Sequence, residues 1–244
     1  MKKEVLKFET GSIKQYKYKF DGINNPYLVK LRSQNKLDLA VGAAKDDLEV
    51  VKRLCYWTSD KLQHNGRGFA SKNEPLVILK EAEQGKGFRC VEHATLLQGC
   101  LSSFGFKSRS LSLMRKEIEK VERAGGHVVV EVYLDSIKRW VMLDPDERVV
   151  PLFKEGSPMN AVELQNAITR DTDIRISNHY RNFVYPYLFY FCHRLNNGVM
   201  VDKSRAKNLI LVPKSYKVPK IFEAKWPIRN SVWTHSVSTF YQKP

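Results

Sequence analysis

Apolar positions along the first half of the chain recur at helical spacing. Leu48, Val51, Leu54/Cys55, Thr58 and Leu62 recur at three- and four-residue intervals, which predicts helix over residues 38–64. Gly66 and Gly68 then punctuate the chain. Asn73, with Pro75 two positions on, reads as a cap followed by a first-turn proline, so a short helix Pro75–Glu83 ending near Gly85 is expected. After Gly85-Lys-Gly87-Phe-Arg, the positions Val91, Ala94, Leu97, Leu101 and Phe104 again have helical spacing, and Gly105 is a natural stop. Cys90 therefore falls at, or one residue before, a helix N-terminus. Glu92 and His93 point away from the apolar stripe and are expected on the helix surface.

Beyond Gly105 the period shortens. Phe106–Leu113 alternates loosely and reads as a strand, and Lys116–Arg123 as an exposed loop or helical turn. His127–Leu134 is rich in β-branched residues and predicts a strand. Asp135–Lys138 is a turn, and Arg139–Asp144 a second strand stopped by Pro145. Residues 146–244 are less regular. Ala161–Ile168 suggests a helix; Phe183–Arg194 and Val199–Val212 suggest strands around an Asn197-Gly198 hairpin turn. The aromatic run Tyr185–Phe191 is expected in the core of a sheet of the tail's own rather than in a substrate groove. Residues 1–35 read as short strands or loops. No repeat or low-complexity segment is present.

Composition narrows the class. The chain of 244 residues is 43% hydrophobic and 27% charged, enough to bury a core without disulfide staples. Its four cysteines, Cys55, Cys90, Cys100 and Cys192, are too sparse for a disulfide scaffold, so reduced thiols are expected. No apolar run follows the basic N-terminus as in a secretory signal, and none is long enough to span a membrane. A cytoplasmic protein is the expectation; an exported form with its signal removed would read the same. The net charge is +15, and Lys203–Arg229 holds eight Lys/Arg against one acidic residue, Glu223. Pro213, Pro219 and Pro227 interrupt that stretch, and no nucleic-acid motif accompanies it, so nucleic acid is not an expected partner.

Three residues carry candidate chemistry. A free thiol titrates near ~8.5, and a helix N-terminus favours its thiolate. Cys90 has that placement. His127 and Asp144 lie on neighbouring strands of the expected hairpin. If Leu134 pairs with Arg139, Val129 faces Asp144, and His127 is diagonal to Asp144 on the same sheet face, with Cβ atoms roughly 7–8 Å apart. A three-residue loop would put them on opposite faces instead. The other three cysteines read as small buried hydrophobes. Cys90 and His93 make a C-x-x-H pair, but no second pair has ligand spacing, so zinc is not expected. Asp144-Pro145 alone could merely begin a turn.

These blocks resemble a known family. Gly87-Phe-Arg-Cys90-Val-Glu-His-Ala-Thr-Leu-Leu is similar to the nucleophile helix of the transglutaminase-like superfamily. Phe104-Gly-Phe-Lys-Ser-Arg109 resembles its glycine-to-arginine strand entry, Gly126-His127-Val-Val-Val-Glu-Val-Tyr its histidine strand, and Trp140-Val-Met-Leu-Asp144-Pro145 its aspartate strand. The order Cys, His, Asp and the intervals of 37 and 17 residues fit as well.

The resemblance covers about residues 40–150 and implies an α+β, papain-like core with the nucleophile helix packed on an antiparallel sheet; the strand patterns of the tail add a β-rich C-terminal extension. The chain is thereby expected to comprise an N-terminal extension 1–37, a catalytic core 38–150 and a C-terminal extension 151–244 packing on the core. The resemblance implies a catalytic triad in a cysteine-dependent hydrolase (peptidase or amidase) or acyltransferase. Cys90 would attack a peptide or amide carbonyl to give a thioester, His127 would shuttle the proton and Asp144 would orient His127. The oxyanion would be held by the Cys90 N–H together with Gln84, as in papain-type peptidases, or Trp57, as in crosslinking transglutaminases. No cofactor, metal or calcium site is implied. A peptide or protein is the expected substrate; the basic surface would suit an acidic one such as a cell-wall peptide. The alternative is a catalytically silent module binding a peptide, glycan or anionic polymer. Hydrolysis and transamidation share the thioester, and the sequence separates them no further; it carries no signal of oligomeric state.

Overall fold

In a computed structural model, which describes residues 3–11, 13–199 and 206–244, the chain forms a six-stranded sheet with helices on both faces. The first helices are α1 (Pro26–Gln34), α2 (Leu37–Val41), α3 (Asp47–Lys61), α4 (Pro75–Glu83) and α5 (Cys90–Ser103). They are followed by strands β1 (Lys107–Met114), β2 (Gly126–Leu134) and β3 (Arg139–Leu143). Next come α6 (Ala161–Thr169), α7 (Asn178–Val184), a 3-10 turn over Tyr185–Tyr187, β4 (Tyr190–Arg194) and β5 (Asn208–Leu211). A small hairpin of β6 (Ile221–Phe222) and β7 (Trp226–Pro227), then β8 (Ser231–Thr234) and α8 (Val237–Phe240), complete the chain.

Local chemistry explains where these elements begin. Asp46 caps α3 by accepting from the Glu49 N–H, and Val51, Leu54, Cys55 and Thr58 form its buried stripe. Pro75 opens α4 with an orphan position that needs no N–H, although the capping residue is Glu74 rather than Asn73. Gly105, at φ +84, ends the α5 segment in a left-handed turn that a side chain would strain. Asn160 and Glu163 close a reciprocal capping box on α6.

The strand order is β3-β2-β1-β4-β5-β8, antiparallel throughout except for the parallel pair β5–β8. Alternation along the strands sorts their side chains between two cores. Val130, Val132, Val141 and Leu143 pack with α1 and α3–α5. Leu111, Val129, Met142, Phe191 and Leu209 face α6, α7 and α8. The apolar part of α5 has helices on one side and β1 and β2 on the other.

Several expectations change. The segment before residue 35 contains α1, which is short and buries only Leu28 and Leu31, too few for a clear period. The tail strands β4 and β5 pair with each other as expected, but they extend the main sheet because β4 also pairs with β1, so Phe191 belongs to the core of the main sheet. Phe183 and Val184 end a helix instead of opening a strand. Asn197-Gly198 is not a two-residue hairpin turn, because β5 starts only at Asn208. Instead Asn197 accepts from Gln98 Nε2 at 2.8 Å and donates its N–H to Lys19 O, tying the tail to α5 and to the N-terminal segment. Residues 200–205 of the expected strand Val199–Val212 lie outside the described residues. Glu92 and His93 are 2% and 1% exposed, not on the surface, since packing surrounds α5 beyond its apolar stripe. Among the described residues no helix is long and apolar enough to cross a membrane.

Candidate active site

The pairing of Leu134 with Arg139 fixes the β2–β3 register. It carries Val130 opposite Leu143, so the next position sets Val129 against Asp144 and puts His127 on the same face. His127 donates Nε2–H to Asp144 Oδ2 at 2.8 Å. Its other nitrogen, Nδ1, is left to meet the thiol of Cys90, the first residue of α5. Cys90 Sγ, a ring nitrogen of His127 and a carboxylate oxygen of Asp146 lie within 4.8 Å of one another.

Asp144 is fully buried, and four donors satisfy it. Oδ2 also accepts from the Tyr180 hydroxyl at 2.8 Å. Oδ1 accepts from the N–H groups of Asp146 and Glu147, each at 3.2 Å. Burial would raise this carboxyl, but the His127 charge, its hydrogen bond, Tyr180 and the Glu147 N–H outweigh it, so it stays below its ordinary value. Burial would likewise depress His127. The Asp144 carboxylate, its hydrogen bond and the Cys90 contact prevail, and the imidazole is held well above its usual range. Phe183 and Tyr187 wall the ring, with centroids 5.1 and 5.9 Å away. Part of the aromatic run therefore shields the histidine from water.

The other cysteines differ from Cys90. Cys55 and Cys100 are buried, and desolvation pushes both thiols far up. Cys192 has a half-buried residue surface, yet its thiol is desolvated and pushed up to about 12. Cys90 is half-buried at a helix start, where the first N–H groups have no intrahelical acceptor. Gln84 sits exposed at the C-cap of α4, and Trp57 half-buried on α3 with Lys61 Nζ 5.6 Å from its ring centre. Among the described hydrogen bonds and ring contacts neither reaches Cys90 or His127.

Cys90 is presented by a backbone clamp. Phe88 donates to Gln63 O at 2.8 Å and accepts from the Asn65 N–H at 2.6 Å. Gly68 lies so close to the Gly87 carbonyl that a Cβ would overlap it. We expect Gly68→Ala to cost about 1–3 kcal/mol in urea unfolding, because backbone must move. It should also slow Cys90 alkylation, while an alanine at Gly66, where nothing lies closer than 3.9 Å to a Cβ, should do neither. Equal stability of the two variants would contradict the clamp.

Sequence reasoning missed Tyr180, His64 and Asp146, and it placed His93 on the surface. His64 Nδ1 lies 2.8 Å from Asp146 Oδ1, and His93 Nε2 lies 3.5 Å from the same oxygen. Tyr180 is 36 residues from Asp144 and carries no spacing signal. Asp146, two residues beyond Asp144, was the one a closer look at the strand end could have found.

Residues 36–145 match the family model of the transglutaminase-like superfamily. A solved chain from Cytophaga hutchinsonii, described as a candidate cysteine protease, is similar at 16% identity and TM-score 0.37, covering 53% of this chain and 44% of that one. A candidate protease from Parabacteroides distasonis is similar at 14% identity and TM-score 0.34, covering 48% of this chain and 25% of that one. The chain thus spans less than half the length of either. No curated protein matches the chain.

Proposed function

From the match of residues 36–145 to the transglutaminase-like superfamily model, we propose that the protein is a cysteine-dependent acyl-transfer enzyme acting on a peptide or amide carbonyl. The observation that carries this reading is the Cys90 thiol at a helix start against His127, whose Nε2 is 2.8 Å from the buried Asp144. Cys90 Sγ attacks the carbonyl carbon, and His127 Nδ1 takes the thiol proton. As the C–N bond breaks, His127 returns that proton to the leaving amine, and a thioester remains. Water or a second amine then attacks the thioester with His127 as base. Asp144 keeps the proton on Nε2, so that Nδ1 presents its lone pair to the thiol. The Cys90 N–H faces the developing oxyanion, with Gln84 or Trp57 as the second donor. The proximity of Cys90 and His127 weighs against the silent binding module, which has no need of a nucleophile–base contact.

The test uses p-nitrophenyl acetate, which acylates an activated thiol without a specific substrate. We expect a burst of one p-nitrophenolate per chain and a hydroxylamine-labile acetyl group on the Cys90 peptide, both lost in Cys90→Ala and His127→Ala. Slow acetylation spread over lysines, equal in all three proteins, would overturn the proposal.

A further inference from the structure

The Asp146 carboxylate is oddly placed for a nucleophile's neighbour. Its side chain is 1% exposed, yet an oxygen lies within 4.8 Å of both Cys90 Sγ and a His127 nitrogen. A negative group there opposes formation of a thiolate, so the acyl-transfer reading gives it no task. Two further histidines hold it. His64 Nδ1 lies 2.8 Å from Oδ1 and 3.0 Å from Oδ2. His93 is buried, and its Nε2 points at Oδ1 from 3.5 Å without a hydrogen-bond partner. His93 Nδ1 faces the Pro145 carbonyl at 3.4 Å, which anchors the ring. One sulfur, one imidazole nitrogen and one carboxylate oxygen thus converge, and their acidic member is backed by imidazoles.

We propose that Cys90, His127 and Asp146 form a zinc site that holds the protein in a latent state. The donor set suits that ion. Thiolate, imidazole and carboxylate together favour zinc over calcium or magnesium, and three protein ligands plus water complete a tetrahedron. A thiolate and a carboxylate neutralise the two positive charges. The present separations exceed those around a zinc ion, whose bonds are about 2.0–2.3 Å, so the three side chains close inward on binding. Loading removes one proton from the Cys90–His127 pair, because the sulfur must be a thiolate and the imidazole neutral. The zinc ion then occupies the sulfur and nitrogen lone pairs that acyl transfer uses. His64 and His93 act as outer partners that orient Asp146. Neither motif spacing nor the C-x-x-H pair exposes this set, since its members come from α5, β2 and the loop after β3.

The binding claim stands on geometry; only its inhibitory consequence rests on the acyl-transfer reading. The test titrates zinc into the metal-free full chain against a chromophoric chelator, and cobalt(II) as an optical stand-in. We expect one zinc per chain, a thiolate-to-cobalt absorption band with tetrahedral d–d bands, and protection of Cys90 from iodoacetamide that chelation reverses. Cys90→Ala should lose the charge-transfer band. Asp146→Asn should weaken binding at least about tenfold, and the exposed-site change His64→Ala, which spares the core, by roughly tenfold as an outer partner. Absence of binding overturns the inference, as does an affinity unchanged in Asp146→Asn and in His64→Ala. If zinc binds as expected but the metal-free chain shows no p-nitrophenyl acetate burst, the acyl-transfer reading fails and the metal site stands. A burst with no zinc binding removes this inference alone.

Discussion

Asp144→Asn is expected to slow acetylation of Cys90 by about 10⁴-fold, the scale of a triad whose histidine is held in the wrong tautomer. The amide can donate where the carboxylate accepted. Its Nδ2 would face His127 Nε2 as a donor, leaving the ring proton on Nδ1, where it opposes uptake of the thiol proton. Asp144 is 0% exposed and its four donors are oriented for an anion, so water cannot repair the change. Tyr180→Phe removes one of those donors and keeps the ring; it should cost about 1 kcal/mol, roughly a fivefold loss. Stability should follow the same pair. The depressed Asp144 carboxyl contributes stability that is present above its unfolded value near ~3.9 and is lost as pH falls through its folded value. The raised His127 contributes stability that is full below ~6.5 and lost as pH rises through its folded value. The urea-unfolding difference between wild type and Asp144→Asn should therefore be greatest between about pH 4 and 6.5 and shrink on either side. A flat difference across pH would contradict the ion pair.

Glu131→Ala is expected to lower stability by about 3–5 kcal/mol, the cost of leaving a buried charge unpaired. The register sets Arg109 of β1 opposite Glu131 of β2, and both side chains are 0% exposed. Glu131 Oε2 accepts from Arg109 Nε at 3.1 Å and Nη2 at 2.7 Å. Its Oε1 accepts from the Tyr241 hydroxyl at 2.8 Å and the Ala161 N–H at 3.1 Å. Arg109 lies 4.0 Å from the Trp140 ring centre and donates to the Phe240 carbonyl at 3.1 Å. One carboxylate thus joins two strands, the start of α6 and the chain's C-terminal end. At roughly 2–4 °C per kcal/mol for a chain of this size, the melting point should fall by roughly 6–20 °C. Arg109→Met combined with Glu131→Leu should recover most of that loss, because no charge is then left buried. A Glu131→Ala protein melting like wild type would mean that water or rearrangement satisfies the guanidinium.

These residues also show where sequence sufficed. The placement of Cys90 at a helix start follows from an apolar period and two flanking glycines, both local. The shared face of His127 and Asp144 follows from a four-residue turn and the two-residue period of strands, and Leu134 does pair with Arg139. Arg109 ends a stretch that resembles the strand entry of the transglutaminase-like superfamily, but its partner is named only by register. What sequence does not carry is contact between distant segments. Tyr180 reaches Asp144 because α7 packs into the core on one sheet face, and His64 reaches Asp146 because the 63–68 segment is clamped to Phe88. Glu92 is buried despite its charge because Arg89 pairs with it at 2.7 Å while stacking 3.7 Å from the Phe69 ring centre, a local arrangement that helical periodicity treats as solvent-facing. The expected pairing of the tail strands is present between β4 and β5; what periodicity does not carry is that β4 also joins β1, where Leu111, Leu113 and Phe191 pack on one face.

The rate of Cys90 alkylation by iodoacetamide, followed by peptide mass spectrometry from pH 5 to 9 in metal-free wild type and in His127→Ala, tests the central claim most directly. A Cys90 thiol that has passed its proton to His127 should react well below pH 8, faster than Cys55, Cys100 and Cys192, and should slow when His127 is removed. A Cys90 that gains reactivity only toward ~8.5, as a free thiol does, and does so identically in both proteins, would contradict the nucleophile–base pair and with it the proposed function.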